Sequence, residues 1–330
     1  MTRKENAGFT LLETMVSLVV LLAVGGIVMS GMTQLMRTQG SIANRTAMHT
    51  SVRSVTELLQ QEIGQAGKVS LGGPTSLVTL TSAVTASVGG ITPVAFSLST
   101  TPAPPASPLP AVYPGEVLTV DVGTNQEAVT VVTWSSPSGT AVFTSPHAAG
   151  APVAALGAFA AGVVPPATTC AAGVACGSDA THLKLYGDIN GDGNMVYVEY
   201  RCVPGPTTAP GTLYRHQMPF NQTTAKTAND PTMILLDNVL FNPNDPNGNV
   251  VPCFAYQVQP LGTGTCVTNV AVTLTVQTQN KDLQTGQLQK ETKALLNVAP
   301  RNVVEVYATA SLVDPTRAQP TPTTVAALLP

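Results

Sequence analysis

From Thr14 to Met36 the chain runs 23 residues without a charged side chain, and within that stretch MVSLVVLLAVGGIVM is almost wholly apolar. At about 1.5 Å per residue a helix over this stretch is roughly 35 Å long, enough to cross a bilayer core of roughly 30 Å. Arg3 and Lys4 precede it, so the positive-inside bias leaves the N-terminus in the cytoplasm and everything after Arg37 outside it. No proline occurs from Thr33 to Gly67, and Val52, Val55, Leu59 and Ile63 recur at helical spacing with Arg53, Glu57 and Glu62 on other faces. The pattern predicts one helix in two parts, a transmembrane segment over 9–36 and an amphipathic extension over 37–68 whose apolar stripe packs on an exterior sheet. Gly64, Gly67 and the Gly72-Gly73-Pro74 cluster end it.

Beyond the helix the period changes from 3.6 to 2. Over 69–168, Leu77–Thr81, Gly115–Val120 and Glu127–Val132 read as short strands between Gly, Ser and Pro breaks, and Pro102 to Pro110 reads as an extended surface loop. In 169–312, expected to be β-rich, His182–Tyr186 and Met195–Tyr200 alternate like strands, and a Pro- and Thr-rich tail over 313–330 is expected to be mobile. The fold class expected is α+β: a long N-terminal helix, transmembrane then amphipathic, packed on an antiparallel β-rich domain with a large β and loop insert.

Composition agrees with an exported β-rich protein, since only 10% of residues are charged and the formal net charge is −3. Neither value suits nucleic-acid binding, which calls for a basic surface. An exported location permits disulfides among Cys170, Cys176, Cys202, Cys253 and Cys266. The nearest pairs, Cys170–Cys176 and Cys253–Cys266, would close short loops and leave Cys202 as the single thiol. A zinc site is disfavoured because there is no CxxC and His49, His147, His182 and His216 are scattered away from the cysteines. No GxSxG, HExxH, P-loop or GxGxxG occurs in a strand-to-helix setting, and Ser145-Pro146-His147 reads as a loop, so no catalytic residue is assigned.

One constellation has metal-ligand spacing. Asp188, Asn190, Asp192, Asn194 and Glu199, with Gly193 at the sharp turn, fit a twelve-residue calcium loop of hard oxygen ligands. The flanks, His182–Tyr186 and Met195–Tyr200, alternate like strands, so the setting is a hairpin and not a pair of helices. A plain turn whose Gly191 and Gly193 supply positive φ explains the same residues without a metal, and both readings stand.

Gly8-Phe9-Thr10-Leu11-Leu12-Glu13, after a short basic leader and before the apolar helix, resembles the type III signal of type IV pilins and type II secretion pseudopilins. In that superfamily a prepilin peptidase cuts after the glycine and methylates the new N-terminal residue. The resemblance implies a leader over 1–8, Gly8 as its last residue and Phe9 as the mature N-terminus. Losing Arg3, Lys4 and Glu5 would move the net charge from −3 to −4. An ionised carboxylate in lipid costs at least ~2.5 kcal/mol and needs a partner. The resemblance implies that Glu13 finds it in the N-terminal amine of a neighbouring subunit, which makes Glu13 an assembly residue. Major pilins carry a helix-breaking proline farther along; Ser30 stands at about that place here, with Gly25-Gly26 nearby.

The distal segments Val196–Arg201, Gly211–Arg215, Ile234–Val239, Phe254–Tyr256, Val270–Val276 and Lys293–Val298 with Pro300-Arg301-Asn302 resemble, in order, the strands of minor pilins and pseudopilins of the W-like and J-like classes. The resemblance covers residues 1 to about 35 and 180 to 305 and does not extend to 70–168. It implies a noncatalytic minor pilin, single-pass in the inner membrane with its exterior domain in the periplasm, then part of a pilus. The implied partners are other pilin subunits, prepilin peptidase, an inner-membrane assembly platform and membrane lipid. A J-like pseudopilin of type II secretion and a surface adhesin on a pilin stalk are the alternatives.

Overall fold

The computed structural model describes residues 10–71, 77–101, 112–155, 157–169, 175–220, 227, 229–261, 264–310 and 318–322. Helix α1 runs Leu11–Gln65 as one 55-residue element, continuous through Gly25, Gly26 and Ser30. It stops at Gly67, whose φ of +87° is a left-handed conformation that a side chain resists. A Cβ there would also lie 2.9 Å from Val303 and 3.1 Å from the Phe159 carbonyl oxygen. Asn302 Nδ2 donates to the Gln65 carbonyl at 3.1 Å and so satisfies one of the acceptors a helix end leaves open. Gly64 is helical, and Gly72 to Pro74 lie outside the described residues.

The chain divides into two compact units. One holds α1 up to Ser51 together with Gln277–Glu291; the other holds Val52–Val276 and Thr292–Pro330. In the second unit Val52, Val55, Leu59 and Ile63 are buried, as their spacing predicts. Full burial of a Leu or Ile side chain contributes about 1.5–3 kcal/mol, so these positions hold the end of the helix down.

The insert is an antiparallel sheet closed on itself. Its strands are β1 (Leu77–Leu80), β2 (Val94–Thr101), β3 (Val117–Val120), β4 (Glu127–Ser135), β5 (Ser138–Ala141) and β6 (Val153–Ala155). They pair in the order β1-β2-β5-β4-β3-β6. A Thr79–Pro152 bridge then joins the outer edges, with Leu80 N donating to Ala151 O at 2.9 Å and Gly150 N donating to Leu80 O at 2.8 Å. Closure pairs both edge strands and removes a template for aggregation. Inside sit Val78, Leu80, Phe96, Leu98, Leu118, Val120, Val129, Val131 and Phe143, a core of the insert's own. The expected strands correspond to β1, β3 and β4; β2, β5 and β6 are additions. Pro102 to Pro110 lie outside the described residues.

After the short β7 (Ala158–Phe159) comes the distal sheet, built from β8 (His182–Gly187), β9 (Val196–Val203), β10 (Gly211–Pro219), β11 (Ile234–Leu240), β12 (Phe254–Leu261), β13 (Gly264–Gln277) and β14 (Lys290–Val298). The order is β12-β13-β11-β10-β9-β8, with β14 also pairing β13. Each distal segment read as a strand falls in one of β8 to β14. Pro300-Arg301-Asn302, read with the closing strands, instead opens helix α2 (Arg301–Ala310), which buries Val303 and Val306. The tail also departs from expectation. Ala318–Gln319 forms β15, parallel to β7, and Gln319 is buried with its amide bonded to both the N–H and the C=O of Val117. A side chain that supplies both donor and acceptor to one residue holds this part of the tail in place.

Candidate functional site

Gly8 and Phe9 lie outside the described residues. Directly after them Thr10 and Glu13 make a capping box. The Thr10 N–H donates to Glu13 Oε2 at 3.0 Å, and the Glu13 N–H donates to Thr10 Oγ1 at 3.3 Å. The T-x-x-E spacing therefore satisfies two orphaned donors of the first turn. Glu13 thus has a use within its own chain, which charge in an apolar helix did not suggest. Around it Leu11, Leu12, Met15 and Val16 are exposed, as is every residue from Thr10 to Arg37. The helix is long and apolar enough to cross a membrane, with mean hydropathy 2.4 over 18 residues and none of that window buried.

Farther along, the helix is locked to the distal sheet by a buried ionic knot. Glu62 was expected on a face away from the stripe; it is buried, and this reading is corrected. Its carboxylate accepts from Arg215 Nε at 3.1 and 3.2 Å, with the second guanidinium nitrogen close by, and from the Tyr200 hydroxyl. Burial first and the Glu62 carboxylate second push the Tyr200 phenol far above its ordinary range. Arg215 ends the Leu213-Tyr214-Arg215 step on β10, so that step is where the sheet grips the helix.

The calcium-loop residues are only partly gathered. They occupy a β8–β9 hairpin, as expected, with Gly191 at φ +70° and Gly193 at φ +86°. Asp188 is buried and already engaged: Ser70 Oγ donates to it at 2.6 Å, Asp192 N at 3.0 Å, Gly193 N at 3.3 Å, and Lys68 Nζ lies 3.2 Å away. Asp192 accepts from the Asn194 N–H at 2.8 Å. Glu199 is buried on β9, takes the Tyr197 hydroxyl at 2.7 Å, and stands opposite Lys184 on β8 and His216 on β10. Among the described residues no group of three or more His, Cys, Asp or Glu side chains is placed to hold a metal ion.

The cysteines pair otherwise than expected. Cys202 on β9 is bonded to Cys253 at the start of β12, 51 residues away, and Cys266 is the buried free thiol. The Cys253–Cys266 pairing and the single-thiol reading of Cys202 are therefore corrected. Although near in sequence, Cys266 is registered opposite Gln259 on β12, well along the strand from Cys253. Cys176 is also disulfide-bonded, and Cys170 lies outside the described residues.

Sequence reading missed two buried polar sites in the insert. His147 has a fully buried side chain between two carboxylates, Nδ1 3.3 Å from Asp121 and Nε2 3.3 Å from Glu127. The Val122 N–H first and His147 second hold the Asp121 carboxyl below its ordinary value. A signal existed: residues 69–168 contain no Lys or Arg, so His147 is the sole basic side chain against Glu116, Asp121 and Glu127. Glu116, at the base of β3, is buried with one oxygen accepting from Tyr113 N at 3.2 Å and the other without a partner among the described residues. Burial pushes its carboxyl up to about 8.

What the geometry offers is an exposed apolar helix, capped at one end and clamped at the other, carrying two β modules. Comparison with family models, with curated proteins and with solved structures finds no match to this chain.

Proposed function

We propose that the chain is a minor type IV pilin, a noncatalytic subunit that helps to initiate or cap a pilus. The observation that carries this reading is the junction of the Gly8–Glu13 signal with an exposed apolar helix that continues unbroken into an anchored exterior domain. Prepilin peptidase removes the leader, the helix sits in the inner membrane beside an assembly platform, and Glu13 exchanges its capping bond for the amine of a neighbouring subunit. The exchange is chemically reasonable because an ionic partner in low dielectric is worth more than a neutral N–H. The self-contained barrel supports the adhesin variant, in which the insert is displayed at the tip. A type II secretion pseudopilin of the J-like class shares every step up to the choice of machine.

Glu13→Gln separates the two uses of this side chain. Glutamine keeps the capping box and loses the charge. Glu13→Val removes both. The proposal expects both variants to insert in the membrane yet enter sheared pili at under about a tenth of the wild-type level, since losing an ionic partner of ~1.5–3 kcal/mol shifts incorporation by about that factor or more. Wild-type incorporation of Glu13→Gln would reduce Glu13 to a helix cap.

A further inference from the structure

The unit formed by α1 up to Ser51 and Gln277–Glu291 contains a feature that neither the pilin signal nor the capping box uses. The connection from β13 to β14 folds back along α1 and is tied there by Asp282. This carboxylate is buried and accepts from Ser41 Oγ at 2.9 Å, Gln289 Nε2 at 2.6 Å, Gln284 N at 2.7 Å and Thr285 N at 3.3 Å. Gln284 Nε2 donates to Thr38 Oγ1 at 3.1 Å, and His49 pairs with Glu291 farther along the helix. Leu283 fits against Gly40, where a Cβ would lie 3.4 Å from Leu283 Cδ1. Even so, Leu283 is 60% exposed and Ile42 58% exposed.

The position of this loop along the helix gives the exposure a meaning. The uncharged run ends at Met36, and Thr38 to Ser41 lie about 3–8 Å beyond it at the helical rise of about 1.5 Å per residue. The headgroup layer on each side of the hydrocarbon core is about 5–8 Å deep. Leu283 therefore falls in that layer whenever the uncharged run spans the core. Arg37 directly follows the uncharged run and Lys281 precedes Leu283 by two residues, and both are exposed, while Asp282 is spent on internal hydrogen bonds and Glu291 pairs with His49.

We infer that the β13–β14 loop is an interfacial foot: Leu283 enters the outer boundary of the phospholipid layer and the neighbouring Lys and Arg side chains meet lipid phosphates. Apolar tips flanked by basic side chains suit this boundary, where the stems of Lys and Arg lie along the apolar zone and their charges reach phosphate. The foot fixes the depth of the span and resists its tilt, which a lone helix leaves free. This inference rests on the membrane-anchor reading of the helix.

The test uses the full chain in vesicles of phosphatidylethanolamine and phosphatidylglycerol. Trp134, the one tryptophan, is replaced by Phe, and Leu283→Trp and Leu22→Trp are made separately. Lipids brominated near the carbonyl end or near the methyl end of the acyl chain then report depth. Leu283→Trp should lose at least about half its emission to the shallow bromine and much less to the deep one, the pattern of a side chain at the edge of the hydrocarbon. Leu22→Trp should be quenched most by the deep bromine. Adding Asp282→Ala, which cuts the tether without touching the reporter, should relieve at least about half of the shallow quenching. A Leu283→Trp emission insensitive to both lipids, with Leu22→Trp quenched, overturns the foot and leaves the anchor standing. The same insensitivity with a blue shift that grows with protein density assigns the surface to a second copy of the chain and also overturns the proposal. If Leu22→Trp is not quenched either, the anchor reading falls and the foot with it.

Discussion

The two β modules fold the same backbone pattern with opposite chemistry. The insert barrel is closed, has an apolar core of its own, and contains no Lys or Arg; its polar interior is His147 between Asp121 and Glu127, with Glu116 buried at its base. The distal sheet is open and needs help from outside itself: α1 supplies Glu62 to Arg215 and Tyr200, and a disulfide ties β9 to the start of β12. A closed barrel satisfies its own edges, whereas an open sheet must borrow a helix, a cross-link or a partner. The barrel thus closes on itself, and the distal sheet is the part coupled to the helix.

That contrast breaks most clearly at Glu62. Arg215→Leu leaves the buried Glu62 charge without its ionic partner and should cost about 3–5 kcal/mol in the distal sheet, Glu62→Leu less because Arg215 is part-exposed and keeps Gln217, and the double substitution should recover most of the loss. Urea unfolding followed by near-UV signals of the distal tyrosines and of Trp134 in the barrel would check this, the barrel transition staying in place. Equal loss in both modules would end the distinction.

Next in size is Glu116, whose effect belongs to the barrel and depends on pH. Its folded value of about 8 lies above the ordinary 4.5, so the folded state holds the proton more tightly than the unfolded chain. Stability from this group is complete below 4.5 and is lost as pH rises to about 8. Glu116→Gln should remove that slope and raise barrel stability at pH 8 by on the order of 4 kcal/mol, with little change at pH 4. Thermal melts of both proteins across this range would show it.

Replacing Cys202 and Cys253 by serine should cost about 2–4 kcal/mol, confined to the distal sheet, because the cross-link closes a long loop. Cys266→Ser changes a buried thiol that is in no disulfide and serves as the control. The smallest expected effect is His147→Leu, about 1–3 kcal/mol from the barrel alone, since it removes the buried imidazole that bonds Asp121 and lies beside Glu127. Differential scanning calorimetry would place each loss in one transition or the other.

Much of this architecture is local and therefore legible. A 3.6-residue period without proline predicts α1, and period-2 runs between turn residues predict β1, β3, β4, β8 and β9. What was hidden depends on distant partners. Glu62 reads as a surface residue until Tyr200 and Arg215, 138 and 153 positions away, are brought to it. Cys253 and Cys266 are close in sequence but sit far apart along paired strands, so spacing misleads about their connectivity. Barrel closure rests on Thr79 meeting Pro152, which no local pattern encodes. Helix α2 was legible in principle, since Pro300 precedes it and Val303 and Val306 are three apart, but the preceding strand drew the reading across the boundary.

The central claim is that the exposed helix is a processed assembly segment and not a plain anchor. Intact mass and N-terminal peptide analysis of the protein extracted from membranes of cells with active prepilin peptidase tests it most directly. The account predicts a chain that begins at N-methylated Phe9. A chain that still begins at Met1 in those cells would contradict it.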